Sequence, residues 1–463
     1  MVKELMKTDK MRSDTELSAS LAKKLIAVLM AVMMFVCFDA SVLAADNADE
    51  GDLPQPQGEA ALLIDADSGK IMYEKNSEQE MYPASLTKMM TCILALEKLD
   101  LDQKITIPAE AVFPTGNNVR LKEGEVLTVR QLLNALMVYS ANDAALALAI
   151  EMSGSIEDFA KEMNKKAKEI GCTHTNYINP NGFTNDPVHH TTARDLAKIA
   201  QYGLEKKEFR KIVKKTQYTV PADNKNPART VKSTNLLLRD GALHYDGTIG
   251  VKTGFMALSG YCFVGACEKN GLTMIGVSLN SGNKQRFADV AEMFDYGAAN
   301  YKSHELIAKN AGTGKIKVKY GHNTSVDTIA PKGAYVTLPK NADESIADTK
   351  IIIKDHVEAP IKKGTKVGTV EIYEDGKKTG ESDVVISRSV KKGGPWTALY
   401  ISDMTFYMAA AAVLILIVLL IIFRVKVRKA RKRREIERRR ARERKAMQIA
   451  MEREDKKRRG WPY

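Results

Sequence analysis

Residues 404–423 read MTFYMAAAAVLILIVLLIIF, twenty in a row without a charge. As a helix rising about 1.5 Å per residue, such a run is about 30 Å long, the thickness of a bilayer core. Asp403 stands before it, and Arg424, Lys426, Arg428 and Lys429 follow it. Positive charge marks the cytoplasmic side, so the tail 424–463 is expected inside and residues 45–403 outside. A second apolar run, residues 25–38, follows Lys23 and Lys24 and precedes the small residues Ser41, Ala44 and Ala45. That order describes a secretory signal over 1–45, cut after Ala44 or Ala45. Its long charged n-region leaves an uncleaved anchor as the alternative.

The two runs confine any large core to the residues between them. A length of 463 residues allows about three folding units. The formal charge of +13 suggests a nucleic-acid partner only until it is located. Residues 424–463 hold 19 Lys/Arg against 6 Asp/Glu, and the rest of the chain holds 51 of each. The basicity is a tail and not a face of a folded domain, so no nucleic-acid partner is expected. Anionic membrane lipids suit such a tail better, at roughly 1 kcal/mol per basic residue near the surface. Glu435, Glu437, Glu443 and Glu452 among the arginines suggest a charged helix with pairs three and four residues apart. Cys92, Cys172, Cys262 and Cys267 form no Cys-x-x-Cys pair, and no HExxH occurs. Free buried thiols are expected, with no metal and no cofactor.

Residues 46–58 are acidic and contain proline, as a linker would. Residues 60–74 predict a hairpin turning at Asp67-Ser68-Gly69. In 85–99, Leu86, Met89, Met90, Ile93 and Leu96 recur at helical spacing, with Ser85 at the start. Thr128 with Gln131 is a capping-box pattern for a helix to about 139, interrupted at 140–142 and resumed over 143–152. A short helix is expected over 192–202, strands around Val251, 261–266 and 273–279, and a helix over 286–296. Beyond about 301 the chain turns to short strands, expected at 316–320, 335–338, 350–353, 367–373 and 384–387.

Three short motifs carry chemistry. Ser85-Leu86-Thr87-Lys88 is an SxxK, which on a helix puts serine and lysine one turn apart on one face. Serine is a weak nucleophile at neutral pH and needs a base within reach. A lysine serves once burial or a neighbouring cation lowers its pKa. Ser140-Ala141-Asn142 is an SxN and Lys252-Thr253-Gly254 a KTG. Lys252 near Lys88 would help keep Lys88 neutral, and Gly254 would let a substrate backbone pass close to its strand. Each motif alone is common here. SxxK also occurs at Ser20, Ser281 and Ser389, SxN at Ser233, Ser278 and Ser281, and KTG at Lys378. Only Ser85, Ser140 and Lys252 together put the serine at a helix start, the SxN at a helix break and the KTG before a strand.

SxxK, SxN and KTG form the set used by penicillin-binding proteins and class A β-lactamases. With Tyr82-Pro83-Ala84 before Ser85, Asp143-Ala144-Ala145 after Asn142, Asn179-Pro180-Asn181-Gly182, His189 to Ala193 before Asp195-Leu196-Ala197, and Gly260-Tyr261-Cys262, the chain resembles the serine-type D-alanyl-D-alanine carboxypeptidases, the low-molecular-weight penicillin-binding proteins. The likeness covers about residues 55–300, with a weaker one at 303–392. It implies an α/β (α+β) penicillin-binding/β-lactamase-like transpeptidase fold, then a small all-β domain and one C-terminal transmembrane helix. The expected layout is a signal at 1–45, a linker at 46–58, a catalytic domain at 59–301, a β-rich domain at 302–393, a transmembrane helix at 404–423 and a cytoplasmic tail at 424–463.

The resemblance also implies roles. Ser85 attacks the carbonyl between two D-alanines of a peptidoglycan stem peptide, and Lys88 takes its proton. Ser140 relays a proton to the leaving D-alanine, and Asn142 contacts the substrate amide. Lys252 supplies positive charge, Thr253 of the Lys252-Thr253-Gly254 strand helps hold the terminal carboxylate, and Arg286 draws it. The N–H groups of Ser85 and Phe255 form an oxyanion hole. β-Lactams are the implied covalent inhibitors. Many relatives carry histidine where this chain has Phe255, so a histidine side-chain role there would be lost. His189 and His190 are expected to order the turn before the next helix. A β-lactamase would want a Glu-x-x-Leu-Asn between Ser140 and Lys252, which is absent. A cross-link endopeptidase and a β-lactam sensor signalling through the tail remain as alternatives.

Overall fold

The computed structural model describes residues 53–112 and 114–460. The expected signal at 1–45 lies outside the described residues, as does most of the expected linker. Two compact bodies are present. Of the described residues, one holds those up to Ile64 with Ile71–Lys269 and Thr273–Asn300, and the other holds Asp65–Lys70, Asn270–Leu272 and those from Tyr301 onward.

The first body is built on β1 (Ala60–Asp65) and β2 (Ile71–Lys75), then α1 (Lys88–Lys98), and the pair β3 (Lys104–Thr106) and β4 (Val126–Thr128). Helices α2 (Val129–Asn134), α3 (Asn142–Ser153), α4 (Ile156–Ile170), α5 (Ala193–Leu204) and α6 (Lys207–Val213) follow. The hairpin β5 (Gln217–Val220) and β6 (Arg229–Lys232) leads to β7 (Thr248–Met256), β8 (Gly260–Lys269), β9 (Leu272–Ser281) and α7 (Gln285–Asn300). The main sheet runs β2-β1-β9-β8-β7. Every residue of β1 is buried, which suits a strand covered on both faces. Helix α7 packs over β8.

Local chemistry sets the breaks that matter. Thr128 accepts from Gln131 N–H while the Gln131 side chain reaches back, the capping box expected there. Helix α2 then widens into a π-helical turn, Ala135–Tyr139, and ends on Ser140 in a left-handed conformation, φ 68°. Such π turns concentrate at functional positions. Helix α3 restarts at Asn142 and buries every residue from Asn142 to Ala149, as only a central helix does. Within the expected linker, Gln57 and Gly58 donate their N–H groups to Asp289 of α7 at 3.0 and 3.1 Å, so this stretch is strapped to the body.

The second body adds β10 (Tyr301–Ile307), β11 (Ala311–Lys319), β12 (Ser325–Ala330), β13 (Ala334–Pro339), β14 (Ala347–Ile353), β15 (His356–Glu358), β16 (Lys366–Glu374) and β17 (Lys377–Ile386). A six-stranded sheet in the order β14-β16-β17-β12-β11-β15 stands beside the pair β10-β13. Ile316, Val318, Val336, Leu338, Val367 and Val370 lie in its core. The last helix, α8 (Asp403–Arg458), runs unbroken for 56 residues from the apolar run into the basic tail. It is the one helix among the described residues long and apolar enough to cross a membrane, and its apolar window is not buried in protein.

Candidate active site

Ser85 lies in a 3-10 turn, Ala84–Thr87, that runs directly into α1, so it precedes the α-helix instead of opening it. Ala84 is held at φ 46°, a strained value for a residue with a Cβ. Three groups hold that turn. The Thr87 hydroxyl donates to Ala84 O at 2.8 Å. His189 Nδ1 accepts the Ile178 N–H at 3.1 Å, so its Nε2 carries the hydrogen and donates to Thr87 Oγ1 at 2.9 Å. Gly182, at φ 78°, lies so close that a Cβ there would fall 1.8 Å from Ala84 O. Burial, and next the neighbouring His190, lowers the His189 pKa to about 4, which keeps this tautomer neutral. His189 thus does more than order the turn before α5; it is tied to the serine turn.

One turn on, Lys88 Nζ donates to Ser85 Oγ at 2.8 Å and to Asn181 O at 2.9 Å. Its side chain is fully buried. Burial, then the charge of Lys252, holds its pKa well below the ordinary lysine range, against the opposing pull of Asp143. The contact places a neutral amine within reach of the serine hydroxyl. Lys252, also buried, donates to Thr253 O at 2.7 Å, and burial followed by Arg286 lowers its pKa to about 7. Arg286 donates from Nη1 to Gly254 O at 2.7 Å and Cys262 O at 3.3 Å.

These groups underlie and line one cleft of about 570 Å³. Ser85, Ser140, Asn142, Thr253, Gly254, Phe255 and Arg286 all reach its wall. Asn142 Nδ2 donates to Thr115 O at 2.5 Å, while its Oδ1 is buried without a partner among the described residues. Asp143 accepts the N–H groups of Val119 at 2.9 Å, Leu121 at 3.1 Å and Ala144 at 3.0 Å. It thereby pins the loop that brings Gly116 and Asn117 to the cleft. Thr253 Oγ1 lies 2.6 Å from Thr234 Oγ1. Phe255 is half exposed at the rim and stacks on Tyr261, with centroids 4.1 Å apart.

Gly254 lines the cleft and also faces the serine turn. A Cβ there would meet Pro83 O at 3.1 Å and Ala84 Cβ at 3.3 Å, so the missing side chain lets the strand approach the serine turn. The copy at Ser20 lies outside the described residues, and those at Ser278, Ser281, Ser389 and Lys378 lie away from the cleft. Ser278 and Ser281 donate to Asp289, Ser389 accepts the Lys363 N–H, and Lys378 is paired with Glu371 and Glu381. The copy at Ser233 differs, since its middle residue, Thr234, lines the cleft. Cys92, Cys172, Cys262 and Cys267 are free and buried. His189, Asn181 and Asp143 escape a reading by motif because each acts through contacts distant in sequence or through a backbone atom. Their only signal is membership of the longer matching segments.

A family model described as D-alanyl-D-alanine carboxypeptidase matches residues 47–283, and one for the C-terminal domain of penicillin-binding protein 5 matches residues 301–392. The chain is 32% identical over 378 residues to the D-alanyl-D-alanine carboxypeptidase DacF of Bacillus subtilis (strain 168), covering 80% of this chain and 96% of the relative. It is 29% identical over 371 residues to DacC of Escherichia coli (strain K12), covering 77% and 90%. Among solved structures, penicillin binding protein 5 from Haemophilus influenzae aligns with a TM-score of 0.57 at 28% identity, over 73% of this chain and 99% of that one.

Proposed function

The chain belongs to the D-alanyl-D-alanine carboxypeptidase family and is a serine-type carboxypeptidase acting on peptidoglycan stem peptides, and from that premise we propose how its own residues do the work. Ser85 Oγ attacks the carbonyl carbon of the penultimate D-alanine and passes its proton to Lys88 Nζ. The single observation that carries this is the 2.8 Å contact between a fully buried lysine and the serine. The N–H groups of Ser85 and Phe255 receive the developing oxyanion. The C–N bond to the terminal D-alanine then breaks. Ser140 relays a proton to the departing amine, leaving an ester on Ser85. Water, deprotonated by the same lysine, hydrolyses that ester and restores the serine. A β-lactam enters by the same attack, its ring amide standing in for the peptide.

Binding follows from charge. Arg286, and Lys252 when protonated, give their hydrogen bonds to neutral carbonyls, which leaves positive charge for a terminal carboxylate. Thr253, already 2.6 Å from Thr234, adds a hydroxyl to it. The unpartnered Asn142 Oδ1 is suited to accept a substrate amide N–H.

The same reading extends to the rest of the chain. Residues 1–45 are a secretory signal, the catalytic domain (59–301) and the β-rich domain (302–393) stand outside the membrane, 404–423 cross it, and the tail 424–463 meets anionic lipids on the cytoplasmic face. The charge asymmetry around 404–423 supports that orientation. The test is D-alanine release from a pentapeptide ending in D-Ala-D-Ala by the full chain in detergent. Release that Ser85→Ala abolishes is expected. Release that persists in Ser85→Ala contradicts the assignment of the nucleophile.

A further inference from the structure

The foot of the β module carries a feature that the reaction does not use. After β17 the chain bridges back to the sheet, Lys392 opposite Gly321. It then passes through a 3-10 turn, Pro395–Leu399, and enters α8 at Asp403. Asp403 does more than begin a helix. Its Oδ1 accepts from Trp396 Nε1 at 2.7 Å and from the Gly394 N–H at 3.0 Å. Its Oδ2 lies 3.5 Å from His322 Nδ1, and its own N–H donates to His322 O at 3.3 Å. The Trp396 ring stacks on Phe406, centroids 3.7 Å apart and 6° from parallel, and Tyr407 closes edge-on at 5.7 Å. The first turn of the apolar helix is therefore bonded and stacked onto the module, not hung from a loose tether.

Around this joint lies apolar surface with no protein over it. Leu399 is 77% exposed, and Tyr400 and Ile401 are also exposed, all three ahead of the uncharged run. Met404 and Tyr407 continue the patch on the helix. Lys391 and Lys392 are exposed just before it. Rings with one polar end favour the membrane–water interface, and lysines there meet phosphate while their stems cover apolar surface.

We infer that this foot is a lipid-docking surface. Leu399, Tyr400 and Ile401 enter the outer leaflet beside α8, Trp396 and Tyr407 lie at headgroup level, and Lys391 and Lys392 face phospholipid phosphates. The bilayer is the occupant because the patch is continuous with the membrane-crossing run and is clamped to its first turn. The inference rests on reading α8 as membrane-spanning. It adds that the β module is seated at the membrane and does not swing on its anchor.

Tryptophan makes the test direct, since Trp396 and Trp461 are the only two in the chain. The full chain carrying Trp461→Phe is inserted in phosphatidylcholine–phosphatidylglycerol vesicles, and flotation reports insertion. Lipid brominated near the glycerol is expected to quench Trp396 about twofold more than lipid brominated at the chain ends. Aqueous iodide is expected to quench it little. Protein that floats yet is quenched by iodide and by neither brominated lipid overturns the foot while leaving the anchor standing. Protein that does not float overturns both. Adding Asp403→Ala should preserve flotation and raise iodide quenching several-fold. Unchanged quenching in that variant would remove Asp403 from the joint.

Discussion

The two bodies differ in what they bury. The catalytic body encloses Lys88, Glu125, Asp143, Asp195, Lys252, Arg286 and Asp289, whereas over 302–393 the buried polar side chains among the described residues are Thr328 and Thr337. Buried charge is costly unless it is paired. The acids far from the cleft are saturated: Asp289 accepts from two backbone N–H groups and the hydroxyls of Ser278 and Ser281, and Glu125 is paired with Arg229. The three basic side chains at the cleft are different. Lys88 gives its hydrogen bonds to Ser85 Oγ and Asn181 O, and Lys252 and Arg286 give theirs to carbonyls. A protein keeps such an uncompensated cluster where an anionic substrate is to be held and a lysine is to stay neutral. The β module buries no such group among the described residues.

The contrast can be broken at several points. Lys88→Met should fold, since it replaces a buried amine by an apolar chain of like length, yet lower acylation of Ser85 by about 10²-fold or more. Acylation by a fluorescent penicillin measures this, and a rate near wild type would remove Lys88 as the base. His189→Ala should lower kcat for D-alanine release by about tenfold with KM little changed. It breaks the link that holds the strained Ala84 turn, and His189→Gln, which keeps a donor, should restore part of the loss. An equal loss in both variants would show that His189 only supports the fold. Leu338→Ala in the β module should cost roughly 2–5 kcal/mol in the module's own unfolding. Its effect on the acylation rate should be nil, and a proportional fall in acylation would show that the two bodies do not act separately.

Much of the site is legible in sequence because its parts are local. Ser85 and Lys88 are one turn apart, and Thr128 with Gln131 announces the helix whose widened end presents Ser140. Other parts are not local. His189 reaches Thr87 across about a hundred positions, and Asn181 contributes a carbonyl that any residue would carry. Gly254 shows the converse: its KTG motif is local, but the close approach to Pro83 and Ala84 that excludes a Cβ there is not. In the fold, the apolar stripe of Phe159, Ala160, Met163 and Ala167 in α4 is narrow and set among charges, so it does not stand out. The strands β10 and β15 pair with β13 and β11, well removed in sequence, and β12 pairs with β17 as well as with its hairpin neighbour β11. The surrounding sheet, and not local propensity, makes them strands.

The most direct test of the buried-cation account is the pH dependence of Ser85 acylation by a β-lactam in the wild type and in Lys252→Met. In the proposed mechanism acylation needs Lys88 without its proton, so the rate is expected to rise with pH through the Lys88 pKa. The acid limb of the wild type should lie well below the ordinary lysine range, because burial and Lys252 both disfavour the charged amine. Removing the Lys252 charge should move that limb to higher pH. An acid limb at the ordinary lysine range in the wild type, or one that Lys252→Met leaves in place, would contradict the account.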